Sequence, residues 1–190
     1  MIKKTIKIPQ FLNDVLGEKQ STIELGLIFL FTIFAGILTM YFYGDELNGL
    51  ALWRKIGALL LVLDIYAGCI ANFTRGTSSF YAKRKNNRLV FIIIHIHLLV
   101  LSFLISSTVT TSVVVTWIYT VACTLFINFN INHPAQKTMA ATFTFLGLIL
   151  LSVLTWNSRI IYLSSLFFLI KVTYSFAVDH YFDNSNKSIE

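Results

Sequence analysis

Charged residues are scarce in this sequence. Asp, Glu, Lys and Arg make up 13% of its 190 residues, against ~25% in an ordinary soluble domain. A water-soluble globule of this size is therefore not expected. Cysteine is nearly missing: Cys69 and Cys123 each lie inside a long apolar run, and there is no C-x-x-C. A disulfide framework is not expected, and the two thiols read as small packing residues. No separate basic domain exists. The net charge of +6 is concentrated at the N-terminus and around residues 83–88, which argues against a nucleic-acid partner.

Signatures of known chemistry are missing too. Thr74-Arg-Gly-Thr-Ser-Ser79 is rich in glycine and hydroxyls but lacks the Walker pattern. There is no Asp-rich metal array of the CDP-alcohol phosphotransferase kind, no PSGH phosphatase motif and no G-x-S-G of rhomboid-type proteases. Nothing names a cofactor. The start MIKKTIKIPQ is basic, but Asp14, Glu18, Lys19 and Gln20 precede any long apolar run. No cleavable signal is expected, and the first span would itself direct insertion.

What is present is apolar length. The mean hydropathy is +0.72 and 56% of residues are hydrophobic. They cluster in runs near 20 residues, enough to cross a ~30 Å hydrocarbon core. The predicted fold is an all-α integral membrane protein, a bundle of six transmembrane helices. The spans are placed at Glu24–Phe42, Ile56–Phe73, Leu89–Ile105, Val113–Phe129, Thr138–Thr155 and Ile160–Val178. Residues 1–23 form a cytosolic segment, 24–178 the membrane domain and 179–190 a cytosolic tail. In the first segment Ile8, Phe11, Leu12, Val15 and Leu16 share a helical face beside Lys3, Lys4 and Lys7. That pattern predicts a short amphipathic helix, lying in the headgroup region or docked on the bundle.

Six spans put both termini on one side. Eleven Lys and Arg fall on that side and three on the other, with Lys171 inside the membrane. The positive-inside rule then places both termini in the cytosol, and the cytoplasmic membrane is the expected location.

The informative residues are polar groups inside the spans, where charge is expensive. Asp64, Gly68, Asn72 and Arg75 fall on one helical face. His95 and His97 lie two apart, about 200° round a regular helix, so no single metal is expected to bind both. Asn128 closes the fourth span, and Lys171 and Asp179 share a face of the sixth. By helical rise, Asp64 lies about 15 Å from the cytosolic end, His97 about 13 Å, Lys171 about 12 Å and His95 about 10 Å. Asp64 and Lys171 are at similar depth, and pairing them is the least costly arrangement.

These residues predict a polar pocket open toward the cytosol, formed by Asp64, Asn72, Arg75, His95, His97, Asn128, Lys171 and Asp179. A small molecule or ion bound there, in connection with transport, is the leading expectation. One alternative is an intramembrane enzyme acting on a lipid or isoprenoid phosphate, with Asp64 as base and the basic turn holding the headgroup. Another is a non-catalytic interaction subunit whose partner is a second membrane protein, its polar stripes serving helix packing.

Overall fold

The structure is a computed structural model and describes residues 5–181. Lys3, Lys4 and the tail from residue 182 onward lie outside the described residues.

Helix α2 (Thr22–Tyr43) begins at a capping box. Ser21 Oγ accepts the amide of Glu24 at 3.1 Å, and the Glu24 carboxylate accepts the amide of Ser21 at 3.3 Å. A 3₁₀ turn (Gly44–Leu47) leads to α3 (Leu52–Ala71), and α4 (Arg75–Ala82) follows after a bend of 84°. Then come α5 (Lys85–Ile93), α6 (His97–Ser106), α7 (Thr111–Phe129), α8 (Gln136–Val153) and α9 (Arg159–Leu169). The last continues into a π-helical stretch, Ile170–Phe176. Among the described residues, five helical segments are long and apolar enough to cross a membrane, six if the bent α3–α4 pair counts as one.

The N-terminal segment meets its sequence expectation in part, with helical turns over residues 10–16 between Pro9 and Gly17. Residues 8–16 do not form one amphipathic helix. Strand β1 (Thr5–Lys7) pairs antiparallel with β2 (Lys19–Ser21), with Thr5 opposite Ser21 and Lys7 opposite Lys19. Between them lie a 3₁₀ turn (Gln10–Leu12) and a single α-helical turn, α1 (Asn13–Leu16). Gly17 ends that turn at φ +71°, with its α-carbon packed so closely on the Gly76 carbonyl that a Cβ would lie 2.2 Å from it. Any side chain there would clash as well as strain the backbone. The expected apolar face is accordingly dispersed: Ile8 is buried, but Phe11 is 81% exposed.

The sixth span, α9 with its π extension, is the centre of the bundle and packs against α3, α6, α7 and α8. Of its 18-residue window 61% is buried, against 17% for α2 at the periphery. Buried Ser164, Ser165, Thr173 and Ser175 keep it slim enough for neighbours on every side. Val62, Ile65, Tyr66, Leu98, Leu101 and Phe168 fill the space around it. By contrast α2 turns Leu27, Phe29, Leu30, Ile33, Phe34 and Ile37 outward, a continuous apolar surface of the kind that faces a membrane or an apolar partner.

At the end of the bundle opposite the β1–β2 pair, two charged side chains satisfy backbone groups. Arg54 Nε donates to the Leu104 carbonyl at 2.7 Å and its Nη2 to the Phe103 carbonyl at 2.9 Å. The Glu46 carboxylate accepts Ser158 Oγ at 2.6 Å and the Arg159 amide at 2.9 Å, at the start of α9.

Candidate functional site

Two irregularities in the helices build the site. The first lies between α5 and α6. Residues Ile94–Ile96 leave the helical ladder, and the His95 carbonyl is taken up by Trp117 Nε1 of α7 at 2.8 Å. A broken helix is tolerable in an apolar bundle when neighbours satisfy the freed backbone in this way. The second is the π-helical stretch carrying Lys171, a local widening often found at functional positions.

Across these two irregularities the polar groups converge. Lys171 Nζ donates to Asp64 Oδ2 at 2.8 Å and to the Asp64 carbonyl at 3.3 Å. His97 Nδ1 stands 3.6 Å from the same carboxylate oxygen, beyond a good direct hydrogen bond. The His95 and His97 rings meet edge to face with centroids 5.3 Å apart. Asn72 Nδ2 reaches the Lys171 carbonyl at 3.4 Å. Gly68 makes the crossing of Lys171 possible, because a Cβ at that position would lie 2.2 Å from Lys171 Cε.

These residues line a cavity of about 440 Å³ together with Asn87, Val90 and Phe91 of α5, Ile94 just beyond it, Tyr81 of α4, and Asp14 and Val15 of α1. That is within the size range of small-molecule sites. Its chemistry is divided. Lys171 is almost fully buried, with 4% of its side chain exposed, whereas Asp64 and His97 keep 40% and 33% exposed.

Five of the eight residues singled out from the sequence meet here: Asp64, Asn72, His95, His97 and Lys171. The separation of the two histidines expected for a regular helix does not hold, because the chain breaks between them and turns both toward the cavity. Among the described residues, no group of three His, Cys, Asp or Glu side chains is placed to hold a metal ion.

The other three lie elsewhere. Arg75 is exposed: α3 ends at Ala71 and the 84° bend carries it off the stripe, with its amide on Glu24 and its guanidinium over the Tyr181 ring. Asn128 accepts Arg88 Nε at 2.6 Å. Asp179 accepts Ser78 Oγ at 3.5 Å and the Tyr181 amide at 3.2 Å. Arg88 also donates to the Phe176 carbonyl at 3.0 Å and to the Ala177 carbonyl. Gln136 joins the same region, donating to the Ala177 carbonyl at 3.0 Å. This second cluster ties α5, α7 and α8 to the end of the sixth span.

Sequence reasoning missed Asn87 and Phe91, although 87, 91 and 95 repeat every four residues and share a face. Asp14, Val15 and Tyr81 carry no such signal, since tertiary packing alone brings them to the cavity. The chain matches no protein-family model, no curated protein and no solved structure.

Proposed function

We propose that this chain is a multi-pass membrane protein, with both termini in the cytosol, that binds a small molecule or ion in the Asp64–His97–Lys171 pocket in connection with transport. The observation that carries the reading is the coincidence of a cavity with polar groups that the fold does not fully satisfy. A half-exposed carboxylate and imidazole at membrane depth are costly unless water or a ligand's polar group meets them. A carboxylate beside two imidazoles also suits the binding and release of a proton or cation.

The 2.8 Å Lys171–Asp64 bond equally supports a structural role in helix register, and with it the interaction-subunit reading. A thermal-shift screen of the purified protein separates the two. Wild type and Asp64→Asn are compared against metal ions, pH steps, small metabolites and phospholipids. A compound that raises the melting temperature of wild type and leaves the variant unmoved is expected. If every compound is inert and the variant is simply less stable, the pair is structural and the pocket reading is wrong.

A further inference from the structure

We infer that the pocket takes a single-chain amphiphile with a small hydroxyl- or amine-bearing head, admitted sideways from the bilayer through the slot between α3 and α5. This rests on the reading that the cavity binds a ligand, and it names the class of that ligand.

The slot follows from the packing. Helix α3 packs against α2, α6 and the sixth span, while α5 packs against α4 and α7. The cavity lies between Asp64, Gly68 and Asn72 on one side and Asn87, Val90, Phe91 and Ile94 on the other. Its outer rim is apolar. Val90 is 56% exposed and Ile94 55%, within the segment Asn86–Ser106, which is long and apolar enough to cross a membrane. The route along the bundle axis is covered instead. Turn α1 lies across that end, held by Tyr81 Oη donating to the Asp14 carbonyl at 2.7 Å and Thr77 Oγ1 donating to the Val15 carbonyl at 3.2 Å.

The floor selects the head group. Lys171 is engaged by Asp64 Oδ2 and the Asp64 carbonyl. His95 Nδ1 bonds to the Phe91 carbonyl; a carbonyl only accepts, so Nδ1 carries the proton. In the neutral ring Nε2 is then a lone-pair acceptor, and it is fully buried without a partner. Among the described residues nothing bonds Asp64 Oδ1 either. The floor therefore presents acceptors and calls for a donor. A hydroxyl or ammonium supplies one; a phosphate or carboxylate head has no donor for Asp64 Oδ1 or His95 Nε2 and would bring a second negative charge beside Asp64, with only the one Lys171 N–H left over from its two bonds to meet it. The walls, Val15, Val90, Phe91 and Ile94, suit an alkyl or isoprenyl chain leading back out through the slot.

The test uses the full chain in nanodiscs of phosphatidylcholine and phosphatidylglycerol, with a diazirine-bearing long-chain alcohol as probe and mass spectrometry to map the crosslink. Labelling is expected on α5 around Val90–Ile94, displaced by dodecanol or dodecylamine and not by dodecane or dodecanoate. Ile94→Trp, at an exposed position that accommodates the ring, is expected to abolish labelling by filling the slot. Thr77→Val, which loosens the cover over the axial route, is expected to leave it unchanged. Asp64→Asn is expected to weaken competition by dodecylamine about tenfold or more, the loss of one hydrogen bond to a charged group.

Labelling that ignores Ile94→Trp, or rises in Thr77→Val, would overturn the lateral route. Dodecanoate competing as well as dodecanol would overturn the head-group assignment. If ethanolamine or glycerol protects wild type and dodecanol does not, the pocket binds a solute and the amphiphile inference alone fails. If none of these compounds binds, the functional reading fails with it.

Discussion

Arg88 and Lys171 are both cations buried in apolar helices, each only 3% exposed, and the bundle treats them differently. Arg88 is surrounded by acceptors: the Asn128 side chain, the carbonyls of Phe176 and Ala177, and the face of the Phe176 ring 5.1 Å away. Its planar fork reaches several acceptors at once, which suits a fixed joint between helices. Lys171 is a point charge held by one residue, through the carboxylate and the carbonyl of Asp64. That carboxylate also faces a cavity, a loosely placed imidazole and a second imidazole with a free nitrogen. A saturated cluster fixes helices; an incompletely satisfied one beside a void retains capacity for a ligand.

If that contrast is right, Arg88→Leu has the largest effect. It leaves Asn128 Oδ1 and the Phe176 carbonyl without their donor, while Gln136 still serves the Ala177 carbonyl, and a loss of about 4 kcal/mol or more is expected. Equilibrium unfolding in mild detergent measures it, and a loss below about 1 kcal/mol would remove the distinction between joint and site.

Asp64→Asn comes next. It strands the Lys171 charge, at a cost of about 2–3 kcal/mol, less than for a fully buried pair because Asp64 is partly exposed. The double variant Asp64→Asn/Lys171→Met is expected to regain most of that loss while still failing to bind any ligand of the wild type. A double variant as unstable as the single one would mean that the two residues do not act as a pair.

Gly68→Ala sharpens the comparison on the site side alone. The added methyl displaces Lys171 Cε, costing about 1–3 kcal/mol and lowering ligand affinity, whereas stability changes at the Arg88 cluster are absent. Hydrogen exchange of α3 compared with α8 reports the two separately.

The smallest effect belongs to His180, just beyond the sixth span. Its Nε2 lies 3.0 Å from the Ser175 carbonyl, and its ring packs on Phe73 with centroids 4.7 Å apart. Burial holds its pKa below the ordinary 6.5. The unfolded chain thus binds the proton more readily, so stability is full above about pH 6.5 and declines as pH falls below it. Replacing His180 by Phe is expected to flatten that acid-side slope of melting temperature; an unchanged slope would assign it to other groups.

The helical segments and their approximate limits were legible because apolar length and turn chemistry are local properties. The Lys171–Asp64 pairing was legible from depth alone, since two charges at one level of an apolar bundle have few alternatives. Arg75 was misplaced because a stripe assumes that its helix continues, and α3 stops at Ala71. Asn128 and Asp179 read as pocket residues because sequence shows which groups need partners but not which partners they find. The N-terminal segment was legible in part: helical turns do run over residues 10–16 between Pro9 and Gly17, but the flanking pair β1 and β2 carries no periodicity that would announce it, because it depends on two short stretches satisfying each other's backbone.

The sequence by itself determined that this chain consists of long apolar helices with a few polar residues that must be satisfied inside them. Each such statement depends only on a residue's transfer energy and its spacing from its neighbours. Tertiary structure alone decided that the chain breaks between Ile94 and Ile96, that His95 and His97 then face one cavity, that Gly68 admits Lys171 and that α1 covers the end of the pocket. Those outcomes depend on which distant groups supply the missing hydrogen bonds, as Trp117 does for the His95 carbonyl, and satisfaction across helices is a property of the packed bundle.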